Sequence, residues 1–425
     1  MPDAPANPLP AGGTSPHGDP DPGPSSPAPP HRGRALAVYL ASAALVRTAS
    51  GGAPVGLVSL TLDRYGHGGA ALGGLLAALL TAPNLAGPWT ARWLESARDT
   101  RPVLAGAFAA YGIALAGAAL ALGHVTTAAV AAVIVLGGLA GPLMTGGLSS
   151  RLALLVGGDD RDRRRAEGWD SATYGVGNIA GPGVVAGLAG TLGPLPAVLA
   201  LGAAAALAGL LLSLLPRGGA TGADGESMPV RDALRVVLRT GPLRRVMAAT
   251  TITSVSTGGI LVVAVVLGGS LGHSPGAGAT LGAVYGAGNL CGALLTGVFP
   301  SSGEPERRTV RLVAVNALAI GLCALSPGYV VALFAFALAG ATSAVLFTAT
   351  LAVRSVYSPP AARAQVFVTM ACAKMASGAA GTALAGTLVG LGPRLALALG
   401  AIVVASAVLA AVVDRRVSAA RGGPG

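Results

Sequence analysis

Charge is scarce in this chain. Asp, Glu, Lys and Arg make up 11% of its 425 residues, where a soluble globular domain carries about a quarter. That shortage excludes an ordinary water-facing surface. Lysine is nearly missing: Lys374 stands alone beside 27 arginines, and it follows Ala373. A phosphate-binding loop needs Gly-Lys-Ser/Thr, so the sequence argues against an ATP-driven pump. The three cysteines, Cys291, Cys323 and Cys372, all lie in apolar stretches and suggest no disulfide framework. Five scattered histidines (His17, His31, His67, His124 and His273) form no metal cluster and no nucleophile–base pair. The sequence therefore predicts no enzyme, no cofactor and no metal.

Apolar and small residues fill the space instead. The chain is 52% hydrophobic and holds 65 glycines. Small residues let helices approach closely where van der Waals contact drives association, as in a bilayer. About twelve apolar stretches are each near the ~20 residues that cross a membrane: 35–62, 70–91, 102–123, 126–150, 168–190, 194–215, 245–270, 276–299, 309–326, 328–353, 363–390 and 394–413. An all-α membrane protein follows. Residues 1–33 read as a disordered tail, 34–216 as a first six-helix half, 217–243 as a linker, 244–413 as a second half and 414–425 as a tail. Arg231, Arg235 and Arg239 recur every four residues, so the linker is expected to hold an amphipathic helix on the membrane surface.

Arginine sets the orientation. Only Arg64 and Arg394 fall in predicted outer loops when both termini are placed inside. This is the positive-inside pattern, and it predicts a multi-pass protein of the cytoplasmic membrane with cytoplasmic termini. It also accounts for the net charge of +11 without nucleic acid. Trp89, Trp93 and Trp169 fall at the inner ends of spans, where interfacial aromatics belong.

The chain also repeats itself. Asn84-Leu85-Ala86-Gly87 returns as Asn289-Leu290-Cys291-Gly292, Leu139-Ala140-Gly141 as Leu338-Ala339-Gly340, and Leu192-Gly193-Pro194 as Leu391-Gly392-Pro393. The matches keep their order at nearly constant displacement, which implies two copies of one unit.

Two six-span halves joined by a linker resemble the major facilitator superfamily, over about 35–413. The stretch Ala91 to Arg98, with Glu95 and Arg98, is similar to the family's loop after span 2, though Glu and Ala stand for its usual Asp and Gly. Span 5 is similar to the exporters' glycine motif at Gly168, Gly177, Gly181 and Pro182, with Val185-Ala186 in place of two final glycines. The resemblance implies a substrate site between the halves near mid-membrane and alternating access to it. It also implies that spans 1, 4, 7 and 10 line the cavity, and a gating role for Glu95, Arg98, Gly177, Gly181 and Pro182.

Ionisable groups at membrane depth default to functional hypotheses. Arg47 lies mid-span 1, Lys374 within span 11, and Arg151 closes span 4. For Arg47 two readings stand: a structural cation satisfied by carbonyls and water, or a cavity cation facing the substrate. Arg151 and Asp170 are expected to pair at the inner end, and no carboxylate is expected inside the cavity. Ser254 and Thr257 of span 7, Tyr174 and Asn178 of span 5, and Tyr285 and Asn289 of span 8 are candidate cavity residues. The last two pairs are spaced i, i+4 and so face one way.

The leading reading is a monomeric secondary transporter moving a small organic molecule, an exporter that couples to protons as an antiporter. The alternative is a carrier for a small organic anion. A sensor or scaffold on the same fold is the reading of another class.

Overall fold

The structure, a computed structural model, describes residues 30–87, 94, 97–155, 160–217, 230–271, 276–298, 303–359 and 362–421. Among these the chain is helical, without strands. The first half comprises α1 (Pro30–Tyr65), α2 (Gly69–Thr81, continued by a 3-10 turn over Ala82–Ala86), α3 (Thr100–Ala121), α4 (Thr127–Gly138), α5 (Asp160–Thr191) and α6 (Pro194–Leu212). Past α4, a π-helical turn, Leu143–Gly147, and a last turn, Leu148–Ser150, complete the span. A linker helix, Val230–Arg239, leads into α7 (Gly241–Ser270), α8 (Ala277–Val298), α9 (Pro305–Leu325), α10 (Tyr329–Tyr357), α11 (Arg363–Leu388) and α12 (Pro393–Arg421).

Among the described residues, ten helices are long and apolar enough to cross a membrane. Of the twelve expected spans, α5 and α11 do not reach that mark. Both are long, but polar residues dilute them: Asp170, Thr173 and Asn178 in one, Lys374, Thr369 and Thr382 in the other. These are the fifth helices of the two halves, so the shortfall itself is symmetric.

The repeated tripeptide Leu-Gly-Pro marks a helix boundary in both copies. Gly193 and Gly392 sit at φ of 90° and 130°, which ends one helix in a conformation that favours glycine, and the following proline opens the next. The other two repeated motifs meet each other in space. A Cβ on Gly141 would run into the Asn84 side chain, and in the second copy Asn289 donates from Nδ2 to the Gly340 carbonyl at 3.5 Å. Each copy thus docks its Asn-Leu-x-Gly onto its Leu-Ala-Gly.

Helix pairing repeats as well. α1 packs on α2, α5 and α6 as α7 packs on α8, α11 and α12, and α3 packs on α6 as α9 on α12. Paired glycines permit the tightest of these contacts. A Cβ on Gly51 would lie 2.6 Å from the Gly177 carbonyl oxygen, and one on Gly52 would lie 2.7 Å from that of Gly181. Gly258 and Gly259 of α7 approach Gly378 and Gly381 of α11 in the same manner. In a bilayer such backbone-to-backbone contact supplies dispersion energy that larger side chains would forfeit.

The halves meet through α5 on α8 and α2 on α11. Touching points include Gly276 against Ala186, Gly282 against Pro182, Gly286 against Asn178, Gly175 against Leu290, and Gly74 against Gly386, and the turn Ala82–Ala86 also meets α11. At the termini face, every ion pair between described residues lies within one half.

Candidate functional site

α5 directs one stripe toward α1. Asp170, Thr173, Tyr174, Gly177 and Gly181 recur at i, i+3, i+4, i+7 and i+11, which places them on one helical face. The two glycines bring the helices together, and the polar residues one and two turns away meet Arg47. Arg47 is 3% exposed and sits at the midpoint of α1. Its Nη2 lies 3.0 Å from Asp170 Oδ1, and its Nη1 donates to the Asp170 carbonyl at 2.6 Å and to the Thr173 hydroxyl. Nη2 also donates to Ser149 Oγ at 3.1 Å, and the guanidinium lies 3.4 Å from the Tyr174 ring centroid. Asp170 is bound from its other side by the Tyr39 hydroxyl at 2.6 Å and by Ser149 at 2.9 Å. The cluster ties α1, the end of span 4 and α5 together.

This corrects one expectation. Asp170 does not pair with Arg151; it is buried against Arg47. The physical reason is that α5 starts at Asp160, not at 168, so Asp170 lies ten residues into the helix instead of at its mouth. Arg151 turns elsewhere: it lies 4.0 Å from Asp99, donates to the Thr100 hydroxyl, and donates to the Pro216 carbonyl at 2.7 Å. Asp99 caps α3 through the Arg101 amide and holds the Arg101 side chain, and these bonds keep its carboxyl low, at about 2. The second half carries a comparable set at the same face. Arg245 forms a two-point pair with buried Glu306 at 2.7 and 2.9 Å and reaches Asp414 at 3.3 Å.

The remaining candidates divide. Ser254 and Thr257 bond to carbonyls one turn back in α7, at 2.7 and 3.2 Å, so these hydroxyls are satisfied within their own helix. Tyr285 donates to Ser343 at 3.1 Å, and with Asn289 it faces α10 of the same half. Tyr174 and Asn178 are exposed, and Asn178 lies at the seam opposite Gly286. Gly177 and Gly181 abut Arg47 and Gly52, and α5 continues through Pro182 without interruption. Gly168 falls within the same helix. Arg98 is exposed, and Trp169 is 53% exposed. Glu95, Trp89 and Trp93 lie outside the described residues.

Lys374 stands at the middle of α11, with Nζ 4.5 Å from the Phe347 ring centroid of α10. Arg354 is a residue the sequence pattern does not single out. Hydropathy ends span 10 at 353, which leaves this arginine in a loop; the helix runs to Tyr357 and buries it to 3% exposure. Tyr39, Ser149, Thr173 and Glu306 also escape the sequence pattern. For Thr173 a signal exists, the i, i+3, i+4 stripe from Asp170 to Tyr174.

A groove of about 750 Å³ lies elsewhere, between α9 and α12, and is lined by residues such as Leu318, Gly321, Ile402 and Val408. It opens away from the seam between the halves.

Comparison with known proteins agrees with this architecture. No family model matches the chain. An uncharacterized MFS-type transporter, y4rN, of Sinorhizobium fredii (strain NBRC 101917 / NGR234) is 27% identical over 257 residues, which is 59% of this chain and 63% of that protein. The chain therefore matches somewhat less than two thirds of that relative's length. A bacterial homolog of the human lysosomal transporter Spinster, in an inward-facing and unoccupied conformation, superposes with a TM-score of 0.65 at 16% identity, over 91% of this chain and 96% of the other. The nucleoside transporter NupG gives 0.66 at 18%, over 89% and 98%. The human organic anion transporter MFSD10 (TETRAN) gives 0.62 at 17%, over 90% and 100%. The chain is a multi-span membrane protein built as two homologous helical bundles. Its fold is that of the major facilitator superfamily. The proteins it resembles are transporters, not enzymes.

Proposed function

We propose that this protein is a secondary active transporter that exports a small organic molecule across the cytoplasmic membrane by alternating access. The carrying observation is the seam. Two equivalent bundles, each held internally by glycine contacts and buried ion pairs, touch each other through α2–α11 and α5–α8. Such bundles rock as bodies about a central site. The arginine-rich termini face is the cytoplasmic one on the positive-inside rule. The export direction is supported by the glycine and proline pattern of α5, at Gly177, Gly181 and Pro182.

Proton coupling has a candidate in Asp170. Its pair with Arg47 joins α1 to α5 beside the seam. A second reading, carriage of an organic anion, is favoured by the charge balance of the second half, where Arg354 and Lys374 form no ion pair with a described carboxylate.

Reconstitution into proteoliposomes with an internal pH-sensitive dye and a panel of neutral, cationic and anionic compounds tests the proposal. Substrate flux with a matching proton signal supports exchange. Flux indifferent to a pH gradient removes the proton arm. Cross-linking Gly74→Cys to Gly386→Cys across the seam should stop flux; continued flux in the cross-linked protein removes alternating access.

A further inference from the structure

α10 and α11 both pack on α7 and meet each other along a sparse seam. Across it the two helices exchange side chains reciprocally. Lys374 of α11 lies over the Phe347 ring of α10 at 4.5 Å, and Arg354 of α10 lies over the Phe367 ring of α11 at 5.9 Å. Phe347 and Arg354 are seven residues apart, as are Phe367 and Lys374. Seven residues are two helical turns, so the cations share one seam about 10 Å apart along it.

The seam is rich in donors and poor in negative charge. Arg354 is 3% exposed, and its Nε and Nη2 have no hydrogen-bond partner. The buried hydroxyl of Ser358, one turn beyond Arg354, is also unpartnered. Among the described residues no carboxylate forms an ion pair with Arg354 or Lys374. A buried guanidinium with orphaned N–H groups carries a desolvation cost that ring faces offset only in part. The first half differs at the matching depth, because Asp170 already neutralises Arg47.

We propose that the α10–α11 seam binds the anionic group, a carboxylate, sulfonate or phosphate, of the transported organic molecule. Arg354 and Lys374 supply the charge, Ser358 supplies a further donor, and Phe347 and Phe367 flank the apolar body of the ligand. The proposal rests on the transporter reading and narrows its substrate class.

The test uses the full-length chain in maltoside detergent, titrated calorimetrically with benzoate, with benzamide as its uncharged counterpart, and with sulfate. Benzoate should bind at least tenfold more tightly than benzamide. Lys374→Met should weaken benzoate at least tenfold, and Lys374→Arg should restore it. Arg354→Gln should weaken it too, but Arg354 is buried deeply enough that its loss can unfold the chain, so Lys374→Met is the deciding variant. Absence of benzoate and sulfate binding to the wild type, equal binding of benzoate and benzamide, or benzoate binding unchanged in Lys374→Met would each overturn the proposal. Nanodiscs separate the source of the anion: if phosphatidylglycerol, and not phosphatidylcholine, abolishes benzoate binding, the seam is a lipid headgroup site and the proposal falls. Proteoliposomes separate it from the transporter reading. Flux of a neutral compound without benzoate binding sinks only the anion site, whereas Lys374-dependent benzoate binding without any flux sinks only transport.

Discussion

Replacing Arg47 alone should destabilise the first half far more than replacing it together with Asp170. Arg47→Met leaves the carboxylate of Asp170, 8% exposed, in a dry setting without its cation. Breaking a buried pair by removing one partner costs about 3–5 kcal/mol. The hydroxyls of Tyr39 and Ser149 still donate to Asp170 at 2.6 and 2.9 Å, and each retained bond is worth about 1 kcal/mol. The expected loss therefore sits at the low end, about 3 kcal/mol, or roughly 6–12 °C in Tm for a half of this size. Asp170→Leu should cost a similar amount, since it strands the guanidinium. The double variant Arg47→Met/Asp170→Leu removes both charges and should return to within about 1–2 kcal/mol of the wild type. Fluorescence-detected size-exclusion chromatography after heating reads all three in crude detergent extract. A double variant as unstable as the sum of the single ones would refute the pairing as the source of the stability. Transport measured on the double variant then tests the coupling role, because that protein folds but lacks the carboxylate.

Other outcomes follow from the packing and the ion pairs. Gly51→Ala should cost about 1–3 kcal/mol by forcing α1 off α5, whereas Gly117→Ala, where a Cβ meets nothing within 4 Å, should leave Tm unchanged. Glu306→Gln breaks the two-point bond to Arg245 and should lower Tm about as much as Arg47→Met does; an unchanged Tm would show that Asp414 alone satisfies Arg245. Asp99, held at about 2 against an ordinary value near 4 in the unfolded chain, stabilises the fold fully above about pH 4 and loses that contribution as pH falls through about 2. The Tm difference between wild type and Asp99→Asn should therefore be equal at pH 7 and pH 5 and should shrink below pH 4.

The repeat was legible because its motifs are short-range geometry: a glycine at positive φ before a proline, an asparagine over a glycine, paired glycines between first and fifth helices. Each is carried by particular residues and survives in an alanine-rich background. The charge partners were harder to read. Whether Asp170 is a membrane residue depends on where α5 begins, and the polar run Asp160 to Arg165 hides a helix start eight residues earlier than the apolar stretch implies. The same kind of boundary hid Arg354, since hydropathy fades before the helix does. Ser254 and Thr257 bond to their own i−4 carbonyls, as a hydroxyl in an apolar helix does, and that partner cannot be read from hydropathy.

The π-helical turn at Leu143–Gly147 gives span 4 a local surplus of chain. An i→i+5 turn holds one residue more than the same rise of α-helix, and each α-helical residue turns the face by about 100°. The turn absorbs the surplus, so Ser149 and Arg151 keep the directions that an uninterrupted helix one residue shorter would give them, one toward the Arg47–Asp170 pair and the other toward Asp99. It is also a place where the chain can be shortened without losing a contact, because a Cβ on Gly146 meets nothing within 4 Å. Excising Gly146 should let the turn relax to ordinary α-helix with both side chains still in register, while excising one residue from the regular stretch Thr127–Gly138 should rotate both away and dissolve the inner network.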